Sequence, residues 1–284
     1  MAYALIICIC LKFYLGNNKG EKLEAIIYIA IFIIGTLFGS FFTLATYRIP
    51  LGQDITHKRS YCPNCSHRLE FWDMIPIFSY IFLKGKCRYC KQKIKPRYLL
   101  LEVFSGITFL LFAISLKLNI YNLNRNTVVY LIYGLLYIST LFLIAGIEKQ
   151  SGKIQKSVLI FGITIDVVYI VYLYISKLNI YKYVIYLTIA LILLLANVII
   201  CKKSDKPNYT LSILSLCFYM IASTNYKAVL LSILCTVLTT IISLLVNKNK
   251  SIKKEKKHIN IGTYLCFANI AFFIIQNIIT GVSI

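Results

Sequence analysis

Four cysteines in the first third of the chain have the spacing of a metal site. Cys62 and Cys65 form one Cys-x-x-Cys pair, and Cys87 and Cys90 form a second pair after an interval of 21 residues. Two such pairs can place four thiolates tetrahedrally around Zn²⁺, with Zn–S distances of about 2.3 Å. A closed thiolate site would fold a loop that is too polar to build its own core. The spacing therefore predicts a structural zinc site.

The same four thiols have two alternative uses, paired disulfides and thiol redox chemistry. Both depend on the compartment, because disulfides do not persist in a reducing cytoplasm. No βαβ pattern of the thioredoxin type accompanies the pairs, which argues against the redox reading. Six further cysteines lie in or beside apolar segments, where we expect them to be small buried hydrophobic residues: Cys8, Cys10, Cys201, Cys217, Cys235 and Cys266.

The chain has only ten acidic residues, so each can be considered as a catalytic group. Six of them lie in polar flanks or between the cysteine pairs, where solvation or local hydrogen bonds account for them: Glu21, Glu24, Asp54, Glu70, Asp73 and Glu255. Four lie in or beside apolar runs: Glu102, Glu148, Asp166 and Asp205. Asp166 lies inside an apolar run, so we expect it to be a neutral acid hydrogen-bonded between helices.

The elements that must position these residues are membrane helices. Hydrophobic residues make up 59% of the 284-residue chain and charged residues only 14%. Apolar runs of about 18 or more residues recur, and each can cross roughly 30 Å of hydrocarbon. They predict an all-α polytopic membrane protein with about eight transmembrane helices, at residues 25–47, 98–118, 128–147, 157–176, 183–201, 208–224, 228–246 and 259–284. The apolar residues 1–15 leave the number of N-terminal spans open.

Every second connecting segment is strongly basic, namely 48–97, 148–156, 202–207 and 247–258. Because lysine and arginine are enriched in cytoplasmic loops, this alternation places all four segments in the cytoplasm of a multi-pass plasma-membrane protein. The same bias explains the net charge of +21 without nucleic-acid binding, and it favours contact with anionic lipids of the bilayer. Three regions follow: an N-terminal segment and span (1–47), a cytoplasmic zinc-binding loop (48–97) and a helical bundle (98–284).

One stretch of the chain resembles a known family. The runs GSFFTLATYRIP (39–50), CPNCSHRL (62–69), IPIFSYIFLKGKCRYC (75–90) and IKPRYLLLE (94–102) are similar to the N-terminal region of type IV prepilin peptidases. These are membrane aspartic proteases of the Gly-x-Gly-Asp type, in which two acids at the cytoplasmic ends of helices activate a water molecule. The resemblance implies a bundle that carries such a pair after residue 98.

The resemblance assigns Glu148 and Asp205 as the catalytic pair. Glu148 stands at the position of the first family aspartate, with Ile154 at the family spacing. Asp205 is the only acid in the region of the second motif, but both glycines of Gly-x-Gly-Asp are absent around it. An alternative alignment puts Tyr209 at that position and leaves no second carboxylate. Glu102 matches a family glutamate, and we expect Arg97 or the catalytic region to be its partner.

The family activity then predicts an aspartic endopeptidase. It would cleave the short basic leader of type IV prepilin or pseudopilin precursors, and it would also N-methylate the new terminus with S-adenosylmethionine, an activity that rests on analogy alone. The altered second motif keeps a different function open, that of a catalytically degenerate homologue acting as a membrane scaffold or binding protein of a pilus or competence system.

Overall fold

The computed structural model describes the backbone of residues 19–57, 59–118, 123–204, 208–249 and 260–280. Residues 1–15 and Asp205 lie outside the described residues. The described part contains nine α-helices: α1 (Lys19–Arg48), α2 (Phe78–Phe82), α3 (Arg97–Ser115), α4 (Arg125–Ser151), α5 (Lys156–Ile175), α6 (Tyr181–Ser204), α7 (Tyr209–Ser223), α8 (Tyr226–Asn249) and α9 (Ile261–Thr280). No strand occurs in these ranges, so the all-α prediction is confirmed.

Seven of the described helices are long and apolar enough to cross a membrane: α1, α3, α4, α5, α6, α8 and α9. The remaining predicted span, at 208–224, corresponds to α7, which has only 15 residues. At a rise of 1.5 Å per residue α7 is about 22 Å long, which is shorter than the hydrocarbon layer of about 30 Å. The protein is therefore a polytopic membrane protein, with one helix shorter than its hydropathy suggests.

The chain divides into two compact units, with the division after Leu131, inside α4. In the first unit α1 packs along α3 through small residues. A Cβ atom on Gly39 would come within 2.7 Å of the Glu102 Cα, and one on Gly35 within 2.8 Å of the Gly106 Cα. Small residues four apart allow such close contact between membrane helices. Helix α1 ends at Arg48, and Pro50 and the left-handed Gly52 (φ 63°) lie in the turn that follows. The cysteine loop (residues 48–97) connects α1 to α3.

The second unit is built from Ile132 onwards, around the most buried of the span helices, α4, whose apolar stretch is 61% buried. Hydrogen bonds between side chains connect α4 to its neighbours. The Tyr137 hydroxyl donates to Asn269 Oδ1 of α9 at 2.6 Å, and Thr140 Oγ1 lies 2.8 Å from the Tyr219 hydroxyl of α7. Such pairs hold membrane helices together where no hydrophobic effect acts between them.

Candidate functional site

The four cysteines of the predicted zinc site form one cluster. All four Sγ atoms lie within 4.8 Å of one another, and Cys62 Sγ is 3.8 Å from Cys90 Sγ. A regular tetrahedron with Zn–S distances of about 2.3 Å has S···S edges of about 3.8 Å, whereas a disulfide requires about 2.05 Å. All four are free thiols. The cluster can therefore hold a metal ion.

The two cysteine pairs adopt the same local structure. The Cys62 N–H donates to the His67 carbonyl at 2.9 Å, and the Cys87 N–H donates to the Gln92 carbonyl at 2.8 Å. In each pair the residue after the second cysteine, Ser66 or Lys91, is left-handed, with φ of 55° and 58°. This repeated tight turn brings the two sulfur atoms of each pair to the same side. The Cys-x-x-Cys spacing therefore accounts for the cluster.

The thiols of the cluster ionise unequally. The backbone N–H of Gln92 donates to Cys90 Sγ and lowers the pKa of this thiol to about 6. At Cys65 the His67 N–H also favours the thiolate, but desolvation and the neighbouring Cys62 and Cys90 sulfurs outweigh it and raise the pKa to about 11. Adjacent thiolates oppose one another's ionisation, and a bound divalent cation removes this opposition.

Asp73 joins the second cysteine pair to the preceding turn. Its carboxylate accepts a 2.7 Å hydrogen bond from Arg88 Nε and a 3.3 Å bond from the Tyr89 hydroxyl. The hydrogen bond to Asp73 raises the pKa of Arg88. The His67 ring packs on the Tyr89 ring at 3.5 Å between centroids, which connects the two pairs. Asp54 likewise makes local bonds, to the N–H groups of Thr56 and His57.

Glu102 anchors the cysteine loop to α3. Its Oε2 accepts a 2.8 Å hydrogen bond from the backbone N–H of Ile77, a left-handed residue (φ 64°) immediately before α2. Its predicted partner Arg97 contacts the Tyr98 hydroxyl and ring instead. The partners are therefore a backbone donor and the hydroxyl of Ser40, which no charge pattern in the sequence could indicate.

Glu148 is completely buried, near the C-terminal end of α4. Its Oε1 accepts hydrogen bonds from the Tyr209 hydroxyl and from the Gly262 backbone N–H at 3.0 Å, and its Oε2 accepts one from the Thr263 hydroxyl at 2.7 Å. We call these three donors the carboxylate cradle. A Cβ atom at position 262 would lie 2.9 Å from both carboxylate oxygens, so a larger residue there would displace the carboxylate.

The cradle joins three helix ends. Glu148 is near the end of α4, Tyr209 begins α7, and Gly262 and Thr263 lie in the first turn of α9. The alternation of basic segments in the sequence predicts that these three ends lie on one membrane face. The first-turn backbone N–H of α9 is one of the donors that the carboxylate accepts from. The Glu148 carboxylate therefore links the ends of three helices.

The structure describes only one of the two candidates for the second motif. Tyr209 contacts Glu148, as expected if Tyr209 occupies the position of the second acid. Asp205, the other candidate, lies outside the described residues. The donors Thr263 and Gly262 were missed, because they lie 115 and 114 residues from Glu148 and belong to no motif.

Asp166 forms a separate polar site. It accepts 3.0 Å hydrogen bonds from the Tyr133 hydroxyl of α4 and from the Ser223 hydroxyl of α7. Tyr133 and Glu148 are 15 residues apart on α4, or about 22 Å along the helix axis. Asp166 therefore does not share a proton directly with Glu148.

Comparisons with known proteins find similarity over part of the chain. Residues 33–116 match the family model of the bacterial peptidase A24 N-terminal domain. Three relatives are named prepilin leader peptidase/N-methyltransferase. The Klebsiella pneumoniae protein is 34% identical over 127 residues, 43% of this chain and 52% of the relative. The Myxococcus xanthus protein is 39% identical over 79 residues, 28% of this chain and 24% of the relative. The Bacillus subtilis protein is 40% identical over 92 residues, 31% of this chain and 37% of the relative. The resemblance to prepilin peptidases is therefore confirmed.

The matches cover about half of these relatives' length or less. The domain match contains α3, Glu102 and the whole cysteine loop, and it ends before Glu148. No solved structure matches the chain. The domain match therefore gives no information about Glu148 or its cradle.

The cradle gives a first stability prediction. Replacing Thr263 with valine removes the hydroxyl 2.7 Å from Glu148 Oε2 while keeping the shape of the side chain. We expect a loss of about 1–3 kcal/mol in the free energy of unfolding, because a buried carboxylate oxygen loses a donor. Unfolding in detergent micelles measures the loss. Thr263→Ser, which keeps the hydroxyl, is the matched control, and equal stabilities of the two variants would show that this hydrogen bond contributes nothing.

Proposed function

We propose that the protein is a prepilin peptidase. It cleaves the leader of type IV prepilin or pseudopilin precursors at the cytoplasmic face of the plasma membrane, and it N-methylates the new terminus. The names of the relatives and the domain match over residues 33–116 support this proposal. The observation that carries it furthest is the buried Glu148 carboxylate, which lies near a helix end with its oxygens fixed by three donors.

The proposed chemistry is that of an aspartic endopeptidase, with Glu148 and Asp205 as its two acids. One ionised carboxylate removes a proton from a water molecule, whose oxygen adds to the scissile carbonyl carbon. The second acid, protonated, donates its proton to the carbonyl oxygen. As the C–N bond breaks, the first carboxyl group passes the proton taken from water to the leaving amine, and the second carboxylate recovers a proton from a hydroxyl of the tetrahedral intermediate. We assign the base to Glu148, because the cradle holds both of its carboxylate oxygens in place near a helix end. Asp205, four residues before Tyr209 in the chain, is assigned as the acid.

The metal in this proposal is Zn²⁺ with a structural role, held by Cys62, Cys65, Cys87 and Cys90. Four thiolates suit zinc, and a closed tetrahedral site leaves no position for water or substrate. The positive-inside rule supports a cytoplasmic cysteine loop, where a reducing compartment keeps the thiols available to metal. S-Adenosylmethionine is the methyl donor in this proposal, on the analogy with the N-methyltransferase named in the relatives.

Leader cleavage tests the proposal. We expect the protein, co-expressed with a cognate prepilin in a host that lacks its own prepilin peptidase, to shorten the precursor by its leader. Asp205→Asn should reduce the cleavage rate by about 10²-fold or more, because asparagine cannot donate an acidic proton. Gel mobility and mass spectrometry of the pilin measure both results.

Two outcomes would contradict different parts of the proposal. If the wild type leaves the precursor intact while an established prepilin peptidase cuts it, the protein is not a peptidase for that precursor class, and the scaffold function gains support. If the wild type cuts and Asp205→Asn cuts equally well, the peptidase function stands and Asp205 is not the second acid. Asp54→Asn, in the cysteine loop, is the matched control for loss of an aspartate.

A further inference from the structure

An exposed apolar patch lies on the cysteine loop. Its five members, the aromatic patch, are Phe71, Trp72, Phe78, Ile81 and Phe82, with exposed fractions of 72%, 67%, 61%, 61% and 80%. Residues of the patch line a cavity of about 460 Å³. Single exposed hydrophobic residues are ordinary, but several close together mark an interaction surface. Neither the metal cluster nor the Glu148 cradle uses this patch.

The backbone that carries the patch is firmly held. Phe71–Asp73 forms a short 3-10 turn whose start is closed by a capping box between Glu70 and Asp73. Asp73 is also fixed by the Arg88 guanidinium at 2.7 Å. The start of α2 is fixed by the hydrogen bond from the Ile77 N–H to Glu102. The apolar side chains are therefore presented to the surroundings by a rigid turn and helix.

Four lysines of the same loop line one groove, which begins close to the patch in the chain, since Lys84 follows Phe82 by two residues. Lys84, Lys86, Lys93 and Lys95 line this groove of about 330 Å³, which also contains Tyr80. In the described part of the chain the ion pairs are His57 with Asp54 and Arg88 with Asp73, so none of the four lysines is neutralised by an acid there. The groove therefore presents a concentrated positive charge next to apolar side chains.

Both ends of the cysteine loop are tied to membrane spans. The span α1 ends at Arg48, and the span α3 begins at Arg97, so the loop leaves and re-enters the bilayer at the same face. Tryptophan and other aromatic side chains are enriched in the head-group layer. Lysines near the membrane surface are attracted to anionic lipids. The cysteine loop thus has three features of a lipid-binding surface: the aromatic patch, the four lysines and the membrane spans at both of its ends.

We propose that the aromatic patch and the four lysines bind the anionic lipid bilayer and hold the cysteine loop against the membrane surface. The charge decides against the leader of a prepilin as the occupant, because a basic leader would be repelled by the lysine groove. The aromatic side chains enter the head-group layer, and the lysine ammonium groups contact lipid phosphates. The bound loop stays close to the membrane face at which α1 ends.

The chain contains its own reporter, because Trp72 is its only tryptophan. The full-length protein is placed in nanodiscs of neutral lipid, or of neutral lipid mixed with phosphatidylglycerol, with or without bromine on the acyl chains near the head group. We expect brominated lipid to quench Trp72 fluorescence, and the quenching to be about twofold or more stronger in the anionic discs at low salt. Aqueous iodide should quench Trp72 weakly in the anionic discs.

Two variants separate the contributions. Replacing the four lysines with glutamine should remove the difference between neutral and anionic discs, and Phe78→Ser with Phe82→Ser should reduce lipid quenching in both. Metal content of each purified variant verifies that the loop is folded. Strong iodide quenching without lipid quenching would overturn the proposal, as would equal lipid quenching in neutral and anionic discs. Shielding of Trp72 only on addition of a prepilin would identify a protein partner and would also overturn it.

Discussion

Replacing Glu148 with glutamine is expected to abolish leader cleavage and to leave the fold intact. Glutamine has the shape of glutamate, and its carbonyl oxygen can accept from Gly262 and Tyr209 as Glu148 Oε1 does. Its NH₂ group can donate to the Thr263 hydroxyl, which then donates to the Ala145 carbonyl, 3.1 Å away. The amide has no basicity, so the water is not activated. We expect a rate loss of at least about 10³-fold, within the range of general acid–base catalysis.

A double-mutant cycle shows whether the cradle acts through the carboxylate. Glu148→Asp shortens the side chain by one methylene and withdraws the carboxylate from Tyr209, which should lower kcat on the order of 10²-fold. Tyr209→Phe removes the hydroxyl donor and should lower kcat with little change in KM, because the tyrosine orients the base and does not bind the leader. If so, the double variant should be little worse than Glu148→Asp, since the interaction is already lost.

Two results would contradict the catalytic role proposed for Glu148 and Tyr209. Additive losses in Glu148→Asp and Tyr209→Phe would show that Tyr209 acts independently of Glu148. A Glu148→Gln variant that still cleaves within about threefold of the wild type would show that the carboxylate is a structural link between helix ends, since general-base catalysis contributes at least about 10². The free energy of unfolding of each variant, measured in micelles, separates loss of chemistry from loss of fold.

The membrane helices and the cysteine cluster could be predicted because their causes are local in sequence. An apolar run long enough to cross the bilayer has few other ways to satisfy its backbone. A Cys-x-x-Cys pair folds through hydrogen bonds between neighbours, such as Cys87 with Gln92. The exception is α7, where hydropathy indicates a span at 208–224 but the helix has 15 residues. Hydropathy measures composition, and helix ends depend on the neighbouring helices.

The candidate site could be predicted only in part, because its donors come from distant segments. The spacing to Ile154 identified Glu148, yet nothing near Glu148 indicates Thr263 or the N–H of Gly262 in another helix. Tyr209 entered only through an alternative alignment, because a tyrosine is not expected in place of an acid. Glu102 shows the same limit, since its partners are the backbone of Ile77 and the side chain of Ser40 rather than Arg97. Side-chain spacing indicates candidates, and tertiary packing decides which donors reach them.

Removing one cysteine of the cluster is expected to have a comparably large effect on the cysteine loop. Cys87→Ser exchanges a buried thiolate ligand for a weakly basic hydroxyl, and Cys87 is only 5% exposed. Binding of structural zinc contributes about 10–16 kcal/mol in small zinc domains at neutral pH, so most of the affinity should be lost with the fourth thiolate. We expect about one zinc ion per chain in the wild type and almost none in the variant, by elemental analysis of purified protein.

Loss of the metal should also expose the cysteine loop to protease. Apart from a short 3-10 turn and α2, residues 59–95 form no helix or strand. The two cysteine pairs are joined mainly by the sulfur cluster, the Asn64–Cys90 contact and the His67–Tyr89 ring contact. Limited proteolysis should therefore cut the loop of Cys87→Ser, and of chelator-treated wild type, much faster than that of the metal-loaded protein. Cys235→Ser, which changes a cysteine of the span α8, is the matched control and should keep both metal and resistance.

Metal analysis and thiol reactivity together distinguish a structural zinc site from a redox function of the same four cysteines. Full metal content in Cys87→Ser would mean that the cluster does not hold the ion, and another metal in stoichiometric amount would contradict zinc. A redox function predicts that the extent of modification of the four cysteines by thiol-reactive reagents is the same with chelator as without it. A structural zinc site predicts protection until the metal is removed, because the thiolates that coordinate the ion are then the thiols that react. The two functions exclude each other, because a sulfur atom that coordinates the metal ion is not available for thiol–disulfide exchange.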